Sequence, residues 1–156
     1  MFKRIAVGYD GSATAEGVLA FAVDLARRSE ASLVLIHVDE EIIAKGGGPL
    51  LADEDEIEAI VQRKGEGLSA DGLDVTVRTP TVRLGGPGPA IADVAEEEGA
   101  DLIVVGTRGL SAIKGVMLGS VTHRLLHVAA TPVLVLTPNA EPTGNAIAAA
   151  TTTAAA

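Results

Sequence analysis

Residues 99–121 read GADLIVVGTRGLSAIKGVMLGSV. Within them Leu102 to Val105 are four apolar residues in a row, three of them β-branched, with no polar residue interleaved. A strand with one wet face alternates, so an unbroken run of this kind predicts a strand buried on both faces, as in a parallel sheet covered by helices. Gly99 ahead of it marks the end of a helix, and the glycines after it mark a loop.

Outward from that strand the chain repeats one theme. Ile5 to Tyr9 (IAVGY) and Ser32 to Val38 (SLVLIHV) are two more buried-strand runs, and Pro132 to Leu136 (PVLVL) is another. Asp74 to Val82 (DVTVRTPTV) alternates β-branched with polar residues, and Pro80 within it predicts an edge strand. Helices are predicted between them. Asp10-Gly11-Ser12 breaks the first run, Ser12 is an N-cap, and Val18, Leu19, Ala22, Leu25 and Ala26 form one stripe. Arg27 and Arg28 fall in the last turn, where the helix dipole favours cations. Gly46-Gly47-Gly48-Pro49 predicts a loop, followed by an acidic helix from about Leu51 to Leu68 that Gly65 and Gly67 are expected to fray. The run Asp53-Glu54-Asp55-Glu56 suits that helix's start. Gly85-Gly86-Pro87-Gly88-Pro89 delivers a proline to the first position of a third helix, with Ile91, Val94 and Ala95 on its apolar face. Glu96, Glu97 and Glu98 stand at the wrong end for its dipole, so full solvation is expected of them. A last helix is expected over Ser120 to Val128.

The order is βαβαβαβαβ, which predicts an α/β fold with a doubly wound parallel five-stranded sheet and helices on both faces. Right-handed crossovers covering both faces require one reversal of winding, and strand order 3-2-1-4-5 places it between the first and fourth strands. Ligands of open parallel sheets bind at the carboxyl ends of those two strands. Here they end in Asp10-Gly11-Ser12 and in Gly106-Thr107-Arg108-Gly109.

At 156 residues there is room for one domain, expected over residues 1–138. From Asn139 to Ala156 the residues are mostly Ala, Thr, Gly, Pro and Asn, a low-complexity tail with little to bury, although the part from Ala146 has some helical propensity. Apolar residues are 47% but aromatics only 2%, so the core is built of Val, Leu, Ile and Ala. The absence of cysteine excludes disulfides and thiolate metal sites. MFKRIAVGYDGS has too short an apolar stretch for a signal peptide, and despite a mean hydropathy of +0.35 no membrane span is expected. A cytoplasmic protein is the expectation. The net charge of −9, with a pI near 4.7, repels phosphate backbones and argues against nucleic-acid binding. It repels small phosphate ligands too, so any site for them must rely on local N–H groups, Arg108, Lys114 or a metal ion.

Gly106 and Gly109 are three apart, and nine residues then precede Gly119-Ser120. Glycine permits close backbone approach or positive φ, and a helix N-terminus at Ser120 suits an anion. Glycines after a strand also serve as plain turns, and neither GxxxxGK[ST] nor GxGxxG is present. The spacing G-x2-G-x9-G-S after LIVV, with RIAVGYDGS, LVLIHV and LGSVTHRLLHVAATPVLVL, resembles the ATP-binding subgroup of the universal stress protein family over about residues 2 to 138. Residues 44–84 are not distinctive.

The resemblance implies ATP as ligand. It implies that Gly106, Gly109, Gly119 and Ser120 hold phosphates and ribose, that Asp10 faces the nucleoside, and that Val38 lies against adenine. It further implies that Val121 offers its backbone N–H and that Arg108 lies near phosphate. Asp10 has three open readings: nucleoside contact, a Mg²⁺ ligand, or an Asx turn at the helix start. The resemblance also implies a homodimer pairing Pro132–Leu136 with its two-fold mate, and a stress-response role. An exposed apolar edge strand at Pro132–Leu136 calls for such cover.

Nothing in the sequence supplies a catalytic base, so a holder of ATP with slow or no turnover is expected, more a regulator than an enzyme. A slow ATPase or autokinase, and a dimeric interaction module without ATP, are the alternatives. His123 and His127 share a helix face, but HRLLH carries Arg124 where a zinc protease needs Glu and shows no third ligand.

Overall fold

The computed structural model describes residues 1–40, 52–107 and 118–138. In chain order the elements are β1 (Arg4–Gly8), α1 (Ala13–Ser29), β2 (Ser32–Ile36), β3 (Asp39–Glu40), α2 (Ala52–Ala70) and β4 (Val75–Arg78), followed by β5 (Thr81–Val82), α3 (Pro87–Glu97), β6 (Leu102–Gly106), α4 (Ser120–Val128) and β7 (Val133–Leu136).

Five strands form one parallel sheet in the order β4-β2-β1-β6-β7. Counting only those five along the chain, this is the expected 3-2-1-4-5, with β4 and β7 at the edges. Side chains alternate faces with the pleat. Ile5, Val7, Leu33, Leu35, Leu102 and Val104 join a core under α1 and α2. Ala6, Val34, Ile36, Ile103 and Val105 join a second core under α3 and α4. Each fully buried Val, Leu or Ile contributes roughly 1.5–3 kcal/mol relative to exposure, so two filled faces hold the sheet without aromatic bulk.

The first helix forms as its residues dictate. Ser12 accepts the Ala15 N–H, Arg27 and Arg28 occupy the last turn, and Val18, Leu19, Ala22, Leu25 and Ala26 are all buried. Pro87 opens α3 after Gly86, and Gly99, with φ of 65°, follows its end.

Four expectations are corrected. The single strand over Asp74–Val82 is two: Pro80 lacks an N–H, so the ladder breaks there, while its carbonyl accepts from Asp39 N at 3.0 Å. Beyond the break, β5 pairs with β3 as a separate two-stranded parallel ribbon, which also ends the second strand at Ile36 rather than Val38. Gly65 and Gly67 do not fray α2, which runs on to Ala70. Gly65 is buried with Val77 in the space its side chain would fill, so it lets α2 sit close on β4.

Glu98 is not fully solvated. Arg78 and Arg4 both bond its carboxylate, the latter at 2.5 Å, and Arg78 also holds Glu97 at 2.9 Å. Arg4 further donates to Thr76 at 3.1 Å. The hydrogen bonds from Arg78 and then Arg4 hold the Glu98 carboxyl below its usual range. This network covers the α3 side of the sheet at its β4 edge, where Thr76 and Arg78 replace apolar residues. The expected tail, residues 139–156, lies outside the described residues.

Candidate functional site

β1 leads into α1 on one face of the sheet, while its neighbour β6 leads towards α4 on the other. The two chains part at their carboxyl ends and leave a cleft of about 260 Å³. Its floor is Gly8, Val105 and Gly106; one wall is Tyr9, Asp10, Ala15 and Ile57; the other is Ile91, Pro87 and the start of α4, Gly119 to Thr122. Ile36, His37, Val38 and Glu40 complete it from the β2 side.

Gly8 is tightly packed there. A Cβ on it would stand 3.2 Å from both Ile91 Cδ1 and Val105 Cγ1. Past Tyr9 the chain turns sharply at Gly11, whose φ is 79°. Asp10 Oδ1 accepts the Ser12 N–H at 3.0 Å, so the Asx-turn reading of Asp10 holds at that oxygen.

Tyr9 is buried, and its hydroxyl donates to Glu16 at 2.5 Å. Lys64 on α2 pairs with Glu16 at 2.9 Å and stands 5.5 Å from the Tyr9 ring centre. Burial, then the bond to and charge of Glu16, push the Tyr9 hydroxyl well above its usual value, so it stays protonated. Burial alone would raise Glu16; the bonds from Tyr9 and Lys64 outweigh it and leave its carboxyl lowered. The cleft wall is thereby tied to both α1 and α2.

Three helices begin at this cleft, and among the described residues their free N–H groups are a local source of positive charge. They are not equivalent. In α1 the Ser12 side chain takes up the Ala15 N–H. In α3 Pro87 and Pro89 lack N–H groups. At α4 no side chain caps the first turn. Two bonds fix that turn against β6: Thr122 Oγ1 donates to Gly106 O at 2.7 Å, and Gly119 N to Thr107 O at 2.6 Å. The ends of the glycine loop therefore meet. Neither Gly106, a strand residue, nor Gly119, with φ of −69°, needs glycine for its dihedrals.

Asp10, Val38, Gly106, Gly119, Ser120 and Val121, distant in sequence, all line this one cleft. Arg108, Gly109, Lys114 and Ser111 lie outside the described residues. Sequence reasoning missed Tyr9, His37, Glu40, Ile57 and Thr122. His37 alone left a trace, as the lone polar residue in LVLIHV. Among the described lining residues the charged side chains are the acids Asp10 and Glu40, without Lys or Arg. His123 and His127 are exposed on α4 and meet edge to face with ring centres 4.5 Å apart. Among the described residues no group of three His, Asp or Glu is placed to hold a metal ion.

The profile of the universal stress protein family matches residues 1–137. A universal stress protein of Bacillus subtilis is 34% identical over 147 residues, spanning 87% of this chain and 99% of the relative. Among solved structures, a universal stress protein in complex with cAMP is 29% identical with a TM-score of 0.66, covering 88% of this chain and 98% of the other. A universal stress protein from Archaeoglobus fulgidus in complex with dAMP is 29% identical with a TM-score of 0.59, covering 85% and 96%.

Proposed function

The chain belongs to the universal stress protein family, and from that premise we propose that it holds ATP, with Mg²⁺, in the cleft between β1 and β6 as a stress-response regulator. The observation that carries this reading is the start of α4. Of the three helix N-termini at the cleft it is the one whose first turn has neither a side-chain cap nor a proline. The complexes of two relatives with cAMP and dAMP support an adenine nucleotide as the ligand class.

In this reading Gly106, Gly109, Gly119 and the Ser120 hydroxyl serve the phosphates and ribose, the Val121 N–H adds a donor, and Arg108 is a phosphate contact. Val38, buried at the β2 side, lies against the base. Asp10 faces the nucleoside, and its carboxylate is also a suitable ligand for Mg²⁺, which favours carboxylate and phosphate oxygens. The metal would offset repulsion between phosphates and the acids of the cleft. In this reading the nucleotide is a signal and its turnover slow or absent. The protein acts in the cytoplasm as a homodimer through the edge strand β7.

The test is direct. The purified protein is denatured and the released small molecule identified, and ATP, AMP and cAMP are titrated into nucleotide-free protein. Tyr9 is the sole tyrosine and there is no tryptophan, so its fluorescence reports on the cleft itself. Adenine nucleotide released or bound, with a Tyr9 response lost in Gly119→Val, supports the reading. A folded protein that binds none of the three would refute it.

A further inference from the structure

His37 is 4% exposed, lines the cleft, and has no place in the phosphate contacts above. Its backbone N donates to Arg78 O at 3.0 Å, continuing the ladder with β4. Its ring faces the other way in the sheet: Nδ1 stands 3.0 Å from the carbonyl oxygen of Tyr9. A carbonyl only accepts, so Nδ1 carries the proton and donates. This bond lies just past the last β1–β2 ladder pair, Gly8 with Ile36. Tyr9 N still donates to Ile36 O at 2.8 Å. One residue later the chain leaves the sheet, through Asp10 and the positive φ of Gly11. Both backbone polar groups of Tyr9 are thus held from the β2 side, the N–H by the Ile36 main chain and the carbonyl by the side chain of His37, just past the strand's end.

We propose that His37 is a positioning residue: its Nδ1–H bond to the Tyr9 carbonyl replaces the missing ladder bond and sets where the Asp10 carboxylate stands in the cleft. The physical reason is that a buried carbonyl needs a donor, and no main chain is left in register to give one. The next peptide unit carries Asp10, whose Oδ1 then closes onto Ser12 N. With the bond absent, the Tyr9–Asp10 peptide is free to rotate towards another donor and takes the carboxylate with it. The consequence for ligand binding rests on the nucleotide reading above; the consequence for the turn does not.

Two substitutions separate the roles. His37→Asn keeps an N–H near the position of Nδ1, while His37→Leu fills the site without a donor. Amide hydrogen exchange at Ser12, whose N–H reports on Asp10, is expected to lose about 10-fold or more of its protection in His37→Leu and to stay near wild type in His37→Asn. Titration with ATP and AMP is expected to show about a 10-fold loss of affinity for His37→Leu, recovered in His37→Asn and absent when Asp10→Ala is already present. Unchanged Ser12 protection in folded His37→Leu overturns the proposal, as does an affinity loss that adds fully to that of Asp10→Ala. Nitrogen NMR of the imidazole in the unaltered protein reads the same bond even where His37→Leu fails to fold. A proton on Nδ1 supports the proposal, and one on Nε2 alone overturns it. Wild-type protein without affinity for any adenine nucleotide would refute the nucleotide reading and leave the exchange and NMR results to decide this one.

Discussion

Gly88 and Gly17 both lie inside helices, and alanine at each is expected to shift stability in opposite directions. Intrinsic propensity favours the change at Gly17, in the helix interior, by about 0.8–1 kcal/mol, and by much less at Gly88, the second residue of α3. At Gly17 in α1 a new Cβ meets nothing within 4 Å, so that gain stands alone. At Gly88 in α3 the Cβ would stand 2.7 Å from Val121 O, 2.9 Å from Leu125 N and 3.1 Å from Arg124 Cβ. Ordinary contact is about 3.5 Å, so α3 and α4 must part by roughly 0.8 Å. The obstructing atoms include α4 backbone, and no side chain can swing aside to absorb the shift. Overpacking of this kind costs about 1–3 kcal/mol, and parting the helices also loosens Ile91 and Leu125 in the shared core. The net expectation for Gly88→Ala is a loss of about 1–2 kcal/mol. For a chain of this size that lowers Tm by roughly 2–8 °C, against a rise of about 2–4 °C for Gly17→Ala. Because α4 carries the proposed phosphate site, Gly88→Ala is also expected to weaken nucleotide binding, and Gly17→Ala is not. Differential scanning calorimetry on both variants measures the pair. Equal shifts of the same sign would show that the close approach of α3 and α4 is not what demands glycine at position 88.

The remaining expectations are independent of that one. Glu98 has a lowered carboxyl pKa, so its ion pairs stabilise fully above the unfolded value near 4.3 and the contribution fades as pH falls through the folded value. Glu98→Gln is therefore expected to cost about 1–2 kcal/mol at pH 7 by urea unfolding and much less at pH 3; an equal cost at both would exclude a charged role. Ile103 N and Thr107 N bond to Pro132 O and Leu136 O, so Val133 and Val135 turn their main-chain groups to the outer edge of β7. Sedimentation equilibrium at micromolar concentration should give a dimer for the natural chain and a monomer for Val135→Pro, and a monomeric natural chain contradicts the proposed pairing. Removal of residues 139–156 is expected to leave Tm within about 2 °C and nucleotide affinity unchanged, a larger drop in Tm meaning that the segment packs on the domain.

Much of this protein is local in origin and was legible from neighbouring residues alone. LIVV, SLVLI and PVLVL are strands because nothing polar interrupts them; α1 starts at Ser12 and α3 at Pro87 because those side chains suit a helix's first turn. The alternation of such segments leaves few topologies, and the 3-2-1-4-5 order follows from burying both faces of the sheet with right-handed crossovers. The meeting of Asp10, Val38, Gly106 and Gly119 is a consequence of that order. What the sequence could not show depends on partners far along the chain. Glu98 looked like a solvated acid until Arg4 and Arg78, carried in by β1 and β4, closed on it. Gly65 looked like a weak point of a helix and Gly88 like part of a turn, and both are contacts whose tightness only packed elements reveal. Pro80 announced an edge but not the separate ribbon beyond it, because its carbonyl had to find Asp39. His37 was one polar residue in an apolar run, and its bond to Tyr9 exists because two strands end side by side. Periodicity and capping are short-range physics and are written residue by residue, whereas ion pairs, close approaches and a cleft depend on distances set when the sheet assembles.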